Sequence, residues 1–296
     1  MKIAVIVQCH RLTGALEYSV SKFKDRSDVF VLIHVDRKSD MNDFRHLEYS
    51  NVAFVSSRVI VNWGSFGQIK STLKSFEWLR HNNIEFDYVS VISGDDVLLH
   101  SVEDFLGFLH KNRGVEFIGV QKSGNKFYDP SERVLYRYPR FCFNKNINVK
   151  RRVLLLIFRV SRFFGFYRNK YFNDLPRCYK GSSWFTITSE AMMYVLKFLE
   201  KNKNYELAYC DSFCADEVFF QTILVNSLYR VNINHINCLD IDDNEASLRY
   251  IDWSTGPDYP RSLDLNDVKC AKEGTLFFAR KISDTISRCD LKNILG

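Results

Sequence analysis

Tyr179–Leu224, YKGSSWFTITSEAMMYVLKFLEKNKNYELAYCDSFCADEVFFQTIL, is the stretch whose reading decides the fold. It opens on a strand-like run, Trp184 to Thr188, and Thr188 or Ser189 then caps a helix that runs through Lys201. After a polar link, Cys214-Ala215-Asp216-Glu217 leads into a second helix that buries Val218, Phe219, Ile223 and Leu224. Asp216 is the expected N-cap, which puts Glu217 in the first turn. There the helix dipole favours a carboxylate that is fixed yet reachable. Such a group facing a strand-and-loop pocket suits a general base. Taken alone, such a pair more often simply caps a helix, and the rest of the chain reverses that balance.

Working outward, the chain alternates strands and helices. Ile3–Val7 is a buried strand, followed by a Cys9-His10-Arg11 loop and a helix from about Thr13 to Lys24. Val29–Val35 ends on His34-Val35-Asp36, and Val52–Val55 is a short third strand. Ser65–Arg80 is helical, with Ile69, Leu73, Phe76 and Leu79 on one face. Tyr88–Ile92 runs into Ser93-Gly94-Asp95-Asp96, and a helix near Val102–His110 and a strand at Glu116–Val120 follow. This order predicts an α/β fold, a mostly parallel central sheet with helices on both faces. Functional loops then belong at the carboxyl ends of the strands, where His34-Asp36 and Gly94-Asp96 both fall. Short strands are expected at Leu228–Ile233 and Ser247–Trp253, with a Gly256-Pro257 turn and a final apolar run closing on Arg280-Lys281. From Gln121 to Arg177 the rhythm breaks into a basic, aromatic insert within one domain spanning residues 1–296.

Composition narrows the function classes. The 46% hydrophobic and 26% charged fractions are those of a soluble globular protein, and the 25 Phe point to an aromatic core or a sugar-facing surface. The formal charge of +6 falls to −2 once the eight Lys and Arg between Lys145 and Lys170 are set aside. One basic patch on a near-neutral protein argues against a nucleic-acid binder. The eight cysteines are scattered, with no CxxC and no zinc-site spacing. The opening apolar run is too short for a signal peptide or anchor, so a reducing, cytoplasmic setting with mostly free thiols is expected.

Seven motifs in order resemble the core-2/I-branching β-1,6-N-acetylglucosaminyltransferases and their peptide-O-xylosyltransferase relatives. They are His34-Val35-Asp36, Val61-Asn62-Trp63-Gly64, Phe86-Asp87-Tyr88 with Ser93-Gly94-Asp95-Asp96, Gly181-Ser182-Ser183-Trp184-Phe185, Ala215-Asp216-Glu217, Arg249-Tyr250-Ile251-Asp252-Trp253, and Phe278-Ala279-Arg280-Lys281. The resemblance implies a GT-A type fold, a UDP-sugar donor, inversion at the anomeric carbon and no metal ion. It implies Glu217 as catalytic base, and Lys281, Arg261 or Arg280 as cations on the donor diphosphate. Asp36, Asp95 and Asp96 would lie near the nucleotide, with Trp253 and Trp184 on the acceptor side. His34 is an interior histidine with no catalytic role.

The residues bear on this independently. Asp95-Asp96 is followed by Val97, so the Asp-x-Asp spacing of metal-dependent GT-A enzymes is absent, and protein cations would neutralise the leaving diphosphate instead. A metal-dependent transferase using Asp95 and Asp96, and a non-catalytic glycan- or lipid-binding protein, are the alternatives. The family's relatives are usually membrane-anchored, whereas this chain begins at its first strand. It therefore reads as a bacterial, cytoplasmic version, transferring GlcNAc, xylose or another sugar to a glycan or lipid-linked glycan in surface-polysaccharide synthesis. Within residues 145–170, a helix over Arg151–Phe164 gathers Arg151, Arg152, Arg159 and Arg162 within about 100° of arc, opposite a Leu/Ile/Phe face. Three destinations are open for that face: an anionic membrane at the inner side of the cell, the protein core, or an oligomer interface.

Overall fold

The computed structural model describes residues 1–121, 129–144, 148–238, 240–256 and 259–296. Continuous runs of Val, Ile and Ala form β1 (Ile3–Cys9) and β2 (Val29–Val35), joined by α1 (Gly14–Phe23), whose Thr13 hydroxyl caps the Leu16 N–H. Next come β3 (Val52–Phe54), α2 (Gly67–His81), β4 (Tyr88–Ser93), β5 (Val97–Leu98) and α3 (Val102–Lys111). The first sheet has the order β3-β2-β1-β4-β6, with β6 (Phe185–Thr188) antiparallel to β4 and the other pairs parallel.

The period of two along these strands supplies two cores. Ala4, Ile6, Leu32, Val89 and Val91 face α2 residues Ile69, Leu73 and Phe76, whereas Ile3, Val5, Val7, Val31 and Ile92 face Leu16 and Val20 of α1 and Phe105 of α3. Helices therefore cover both faces, as the strand–helix alternation predicts. The first core is completed by α5 (Ser189–Lys201), which Thr188 caps as expected, α6 (Lys203–Tyr209) and α7 (Phe219–Val225).

Between α3 and β6, α4 (Val149–Phe163) starts at an Asn148 cap, flanked by single helical turns at Pro130–Arg133, Arg140–Phe143 and Phe172–Asp174. Residues 122–128 and 145–147 of the expected insert, and Pro257 of the expected turn, lie outside the described residues. Beyond α7 come α8 (Asp243–Ala246), β7 (Arg249–Ile251), α9 (Leu265–Lys272), β8 (Phe278–Arg280) and α10 (Arg288–Leu295). A second sheet, β5-β8-β7, packs Val97, Leu99 and Ala279 on Val268 of α9 and Leu291 of α10.

Three sequence expectations need correction. Glu116–Val120 is not a strand: Glu116 and Phe117 each make one isolated bridge, to Ile233 and Thr186. The segment is drawn away where Gly119 and Gly181 cross, since a Cβ on Gly181 would lie 1.7 Å from the Gly119 carbonyl oxygen. Leu228–Asn232 is a 3-10 turn rather than a strand, its first turn held by the Ser227 hydroxyl. Asp216 does not cap a helix. Residues Ala215–Glu217 form a 3-10 turn and α7 begins only at Phe219, because Cys214, left-handed at φ 50°, donates its N–H to Gly64 and redirects the chain.

Candidate active site

Strand pairing assembles the first cluster. Because Val97 of β5 lies opposite Ala279 of antiparallel β8, the residues just before Val97 meet those just after Ala279. Asp96 thus reaches Arg280 (2.7 Å), and Asp95 lies 3.8 Å from the Lys281 ammonium. Asp96 is fully buried and also accepts from the Ser93 N–H (2.9 Å) and hydroxyl (2.6 Å). Arg280 additionally donates to Ser93 and stacks its guanidinium 4.6 Å from the Trp184 ring centre.

The loop after β1 brings in Arg11, which donates to Asp95 (3.1 Å) and to Asp284. Beside it, burial and the Arg11 charge hold His10 below the usual imidazole range. Asp95 therefore sits between Arg11 and Lys281, and Asp96 is satisfied by Ser93 and Arg280. A divalent cation placed on this pair would displace ion pairs already made and face three cations, so the donor set fits a metal poorly. Among the described residues no group of three or more His, Cys, Asp or Glu is placed to hold one.

The 3-10 turn after Cys214 builds the second cluster. Glu217 is partly exposed, and its Oε2 lies 3.3 Å from both Arg133 of the insert and Lys180 at the head of the quoted stretch. Its carbonyl accepts from the Gly181 N–H at 2.8 Å. The neighbouring Asp216 turns the other way and accepts from the Ser183 hydroxyl at 2.7 Å. Burial, together with the adjacent Glu217 charge, pushes the Asp216 carboxyl up. Ser183 and Trp184 are consecutive, so one dipeptide braces the Glu217 turn on one side and supports Arg280 on the other.

The remaining expected residues divide. Arg261 is held by Asp252 (2.8 Å) and Asp267 (2.5 Å) and braces the loop that carries Trp253. Arg280 is tied into the floor through Asp96, leaving Lys281 as the more open of the two consecutive cations. Asp36 is buried at the end of β2, where its carboxylate accepts from the N–H groups of Lys38 (2.9 Å) and Val61 (3.3 Å). Trp253 is half exposed, whereas Trp184 is buried beneath Arg280. His34 is buried and accepts from the Val59 N–H at 3.0 Å, and burial lowers it to about 4, which makes it a neutral interior group. All eight cysteines are free thiols.

Sequence reasoning singled out none of Arg11, Arg133 and Lys180. For Arg11 a signal existed, since Cys9-His10-Arg11 follows the first strand at its carboxyl end. Arg133 carried none, being 84 residues from Glu217. A cavity of about 530 Å³ opens against the insert, lined by Trp63, Tyr138, Phe158, Arg162, Phe213 and Tyr259. The Phe213 N–H donates to the Arg133 carbonyl (3.2 Å), so one hydrogen bond links the cavity wall to the Glu217 cluster. Another cavity, about 580 Å³, lies around Lys2, Ile3 and Val29, at the amino ends of β1 and β2 and far from these loops.

Among solved structures, the chain is 17% identical to S. aureus TarS over 47% of this chain and 25% of that one, with a TM-score of 0.27. It is 13% identical to a 4-diphosphocytidyl-2C-methyl-D-erythritol synthase from Anaerococcus prevotii over 51% and 64% of the two chains, TM-score 0.28. A putative glucose-1-phosphate thymidylyltransferase from Bacillus anthracis gives 11% identity over 68% and 77%, TM-score 0.31. The chain spans about a quarter of TarS and under two thirds of the erythritol synthase. No curated protein matches it. The family model described as core-2/I-branching enzyme matches residues 9–273, which takes in Asp36, the Asp95-Asp96 loop, Glu217 and Trp253 and stops short of Lys281. By that match, which covers most of its length, the chain belongs to the core-2/I-branching enzyme family of glycosyltransferases.

Proposed function

We propose that the chain is an inverting, metal-independent transferase of the GT-A type, moving a sugar from UDP to a hydroxyl of a glycan or lipid-linked glycan. GlcNAc is the first choice of sugar, with xylose or another UDP-sugar next. Glu217 is the base. As the acceptor oxygen attacks the anomeric carbon, its proton passes to the Glu217 carboxylate, and the C–O bond to the diphosphate breaks with its electron pair leaving on UDP. Attack opposite the leaving group turns an α-linked donor into a β-linked product. Lys281 and Arg11, flanking Asp95, supply the positive charge that meets the leaving diphosphate. Arg280 and Arg261 hold that environment in shape. Trp253 offers a half-exposed ring to the acceptor.

The observation that carries this reading is the pairing of a partly exposed carboxylate, Glu217, with a separate cation cluster, the two braced by Ser183-Trp184. On this reading Glu217 is the proton acceptor and the Lys281–Arg11 cluster is the charge sink that takes the role of a metal. The reading further takes the protein to work in the cytoplasm, on bacterial surface polysaccharide. A panel of UDP-sugars tested for thermal protection in excess EDTA, followed by the anomeric configuration of the product, checks it. Stabilisation by one UDP-sugar and a β-linked product are expected. A strict requirement for a divalent ion, or a retained α-linkage, would overturn it.

A further inference from the structure

Most amphipathic helices on a globular protein turn their apolar stripe inward and their charges outward. Helix α4 instead turns its apolar stripe outward. Phe158 is its one buried residue, and Val149, Val153, Leu156, Ile157, Val160 and Phe163 are each between 50% and 86% exposed. At 3.6 residues per turn these six fall within about 120° of the helix circumference. Two arginines point the other way. Arg151 donates to the carbonyls of Phe141 (2.8 Å) and Cys142 (3.2 Å), and Arg162 donates to the Tyr138 hydroxyl (3.1 Å) while covering the Tyr136 ring. The inward packing of these arginines fixes the helix with its apolar face outward.

The rim of that face is cationic on both sides. Exposed Lys150 and Arg152 flank it, and no Asp or Glu occurs between Asn148 and Lys170. Just past the helix, Phe164, Phe166 and Tyr167 are also exposed, forming an aromatic cluster at one end. An exposed apolar patch of this kind marks a surface that something covers. We propose that α4 and the aromatic turn after it dock on an anionic lipid monolayer, the apolar face entering the headgroup region and the cationic rim meeting lipid phosphates.

Charge selects this occupant. A second copy packed face to face would bring two cationic rims together with no acid in the segment to offset them, whereas an anionic bilayer complements rim and face at once. The aromatic cluster suits the interface, where such rings concentrate. No helix among the described residues is long and apolar enough to cross a membrane, so contact through α4 would be peripheral. Docking concerns a surface apart from Glu217 and Lys281 and does not depend on the proposed reaction.

Flotation of the full chain with vesicles of phosphatidylcholine, with and without about one third phosphatidylglycerol, tests this. Binding is expected on the anionic vesicles alone and should weaken as salt is raised. Leu156→Gln/Phe163→Gln/Phe164→Gln and Lys150→Glu/Arg152→Glu should each lower partitioning about tenfold or more, with melting curves unchanged because all five side chains are exposed. Absence of flotation at low salt would overturn the proposal, as would equal binding to neutral vesicles. So would a stable dimer that ignores vesicles and dissociates in the glutamine variant.

Discussion

The Ser183 hydroxyl donates a 2.7 Å hydrogen bond to the Asp216 carboxylate, and through it the loop before β6 fixes the turn that presents Glu217. Asp216 is thereby a support for the turn rather than a helix cap. Removing the donor leaves a desolvated carboxylate short of a partner. Ser183→Ala should lower stability by about 1–3 kcal/mol, read from denaturant melts. Turnover should also fall while the affinity for UDP stays near that of the wild type, because Lys281 is untouched.

Lys281 and Arg261 should separate cleanly. Lys281 has one distant carboxylate partner, 3.8 Å away, and partial exposure. Lys281→Ala should therefore weaken UDP binding by about 1.5–3 kcal/mol, with no rescue by Mg²⁺ or Mn²⁺ and little change in melting temperature. Arg261, clamped between Asp252 and Asp267, should behave in the opposite way: Arg261→Ala lowers the melting temperature more than it weakens UDP. Calorimetric titration beside thermal melts distinguishes the two. Equal loss of UDP affinity in both variants would put Arg261 on the diphosphate.

A pH signature comes from Glu116, away from the chemistry. Its buried carboxylate accepts from the Thr188 N–H (2.8 Å) and hydroxyl (2.6 Å), yet burial outweighs those bonds and pushes the group up to about 7. A raised carboxyl favours the folded state while protonated. Its contribution is fully present below the unfolded value near 4.5 and is lost as pH climbs towards 7. Glu116→Gln should remove on the order of 2–3 kcal/mol of that decline, seen as the difference between the two proteins' stability–pH curves. Parallel curves between pH 4.5 and 7 would mean that Glu116 is ionised throughout.

Much of this was legible in the sequence, for identifiable reasons. Strand β2 coincides with its apolar run, β1 and β4 extend theirs by one or two residues, and α5 starts at Thr188 because a threonine before a periodic run has one strong local use. Local rules failed where long-range packing won. Asp216 carried the signature of a cap, but the Cys214–Gly64 hydrogen bond redirects the chain first. Glu116–Val120 had strand composition, and the Gly119–Gly181 crossing pulls it off the ladder. The wheel of α4 gave the correct faces without saying which one points inward, since that depends on carbonyls at Phe141 and Cys142 that only the fold places. Arg11, Arg133 and Lys180 were missed likewise: their partners are set by tertiary packing, not by spacing along the chain.

The central claim is that Glu217 removes the acceptor proton, and Glu217→Gln tests it most directly. Glutamine keeps the size of the side chain and an oxygen facing Arg133 and Lys180, while the proton acceptor is gone. Turnover with the UDP-sugar found by thermal screening should fall by about 10²–10⁴-fold, with donor affinity little changed. A Glu217→Gln protein that turns over near the wild-type rate, and binds donor as tightly, would contradict the account.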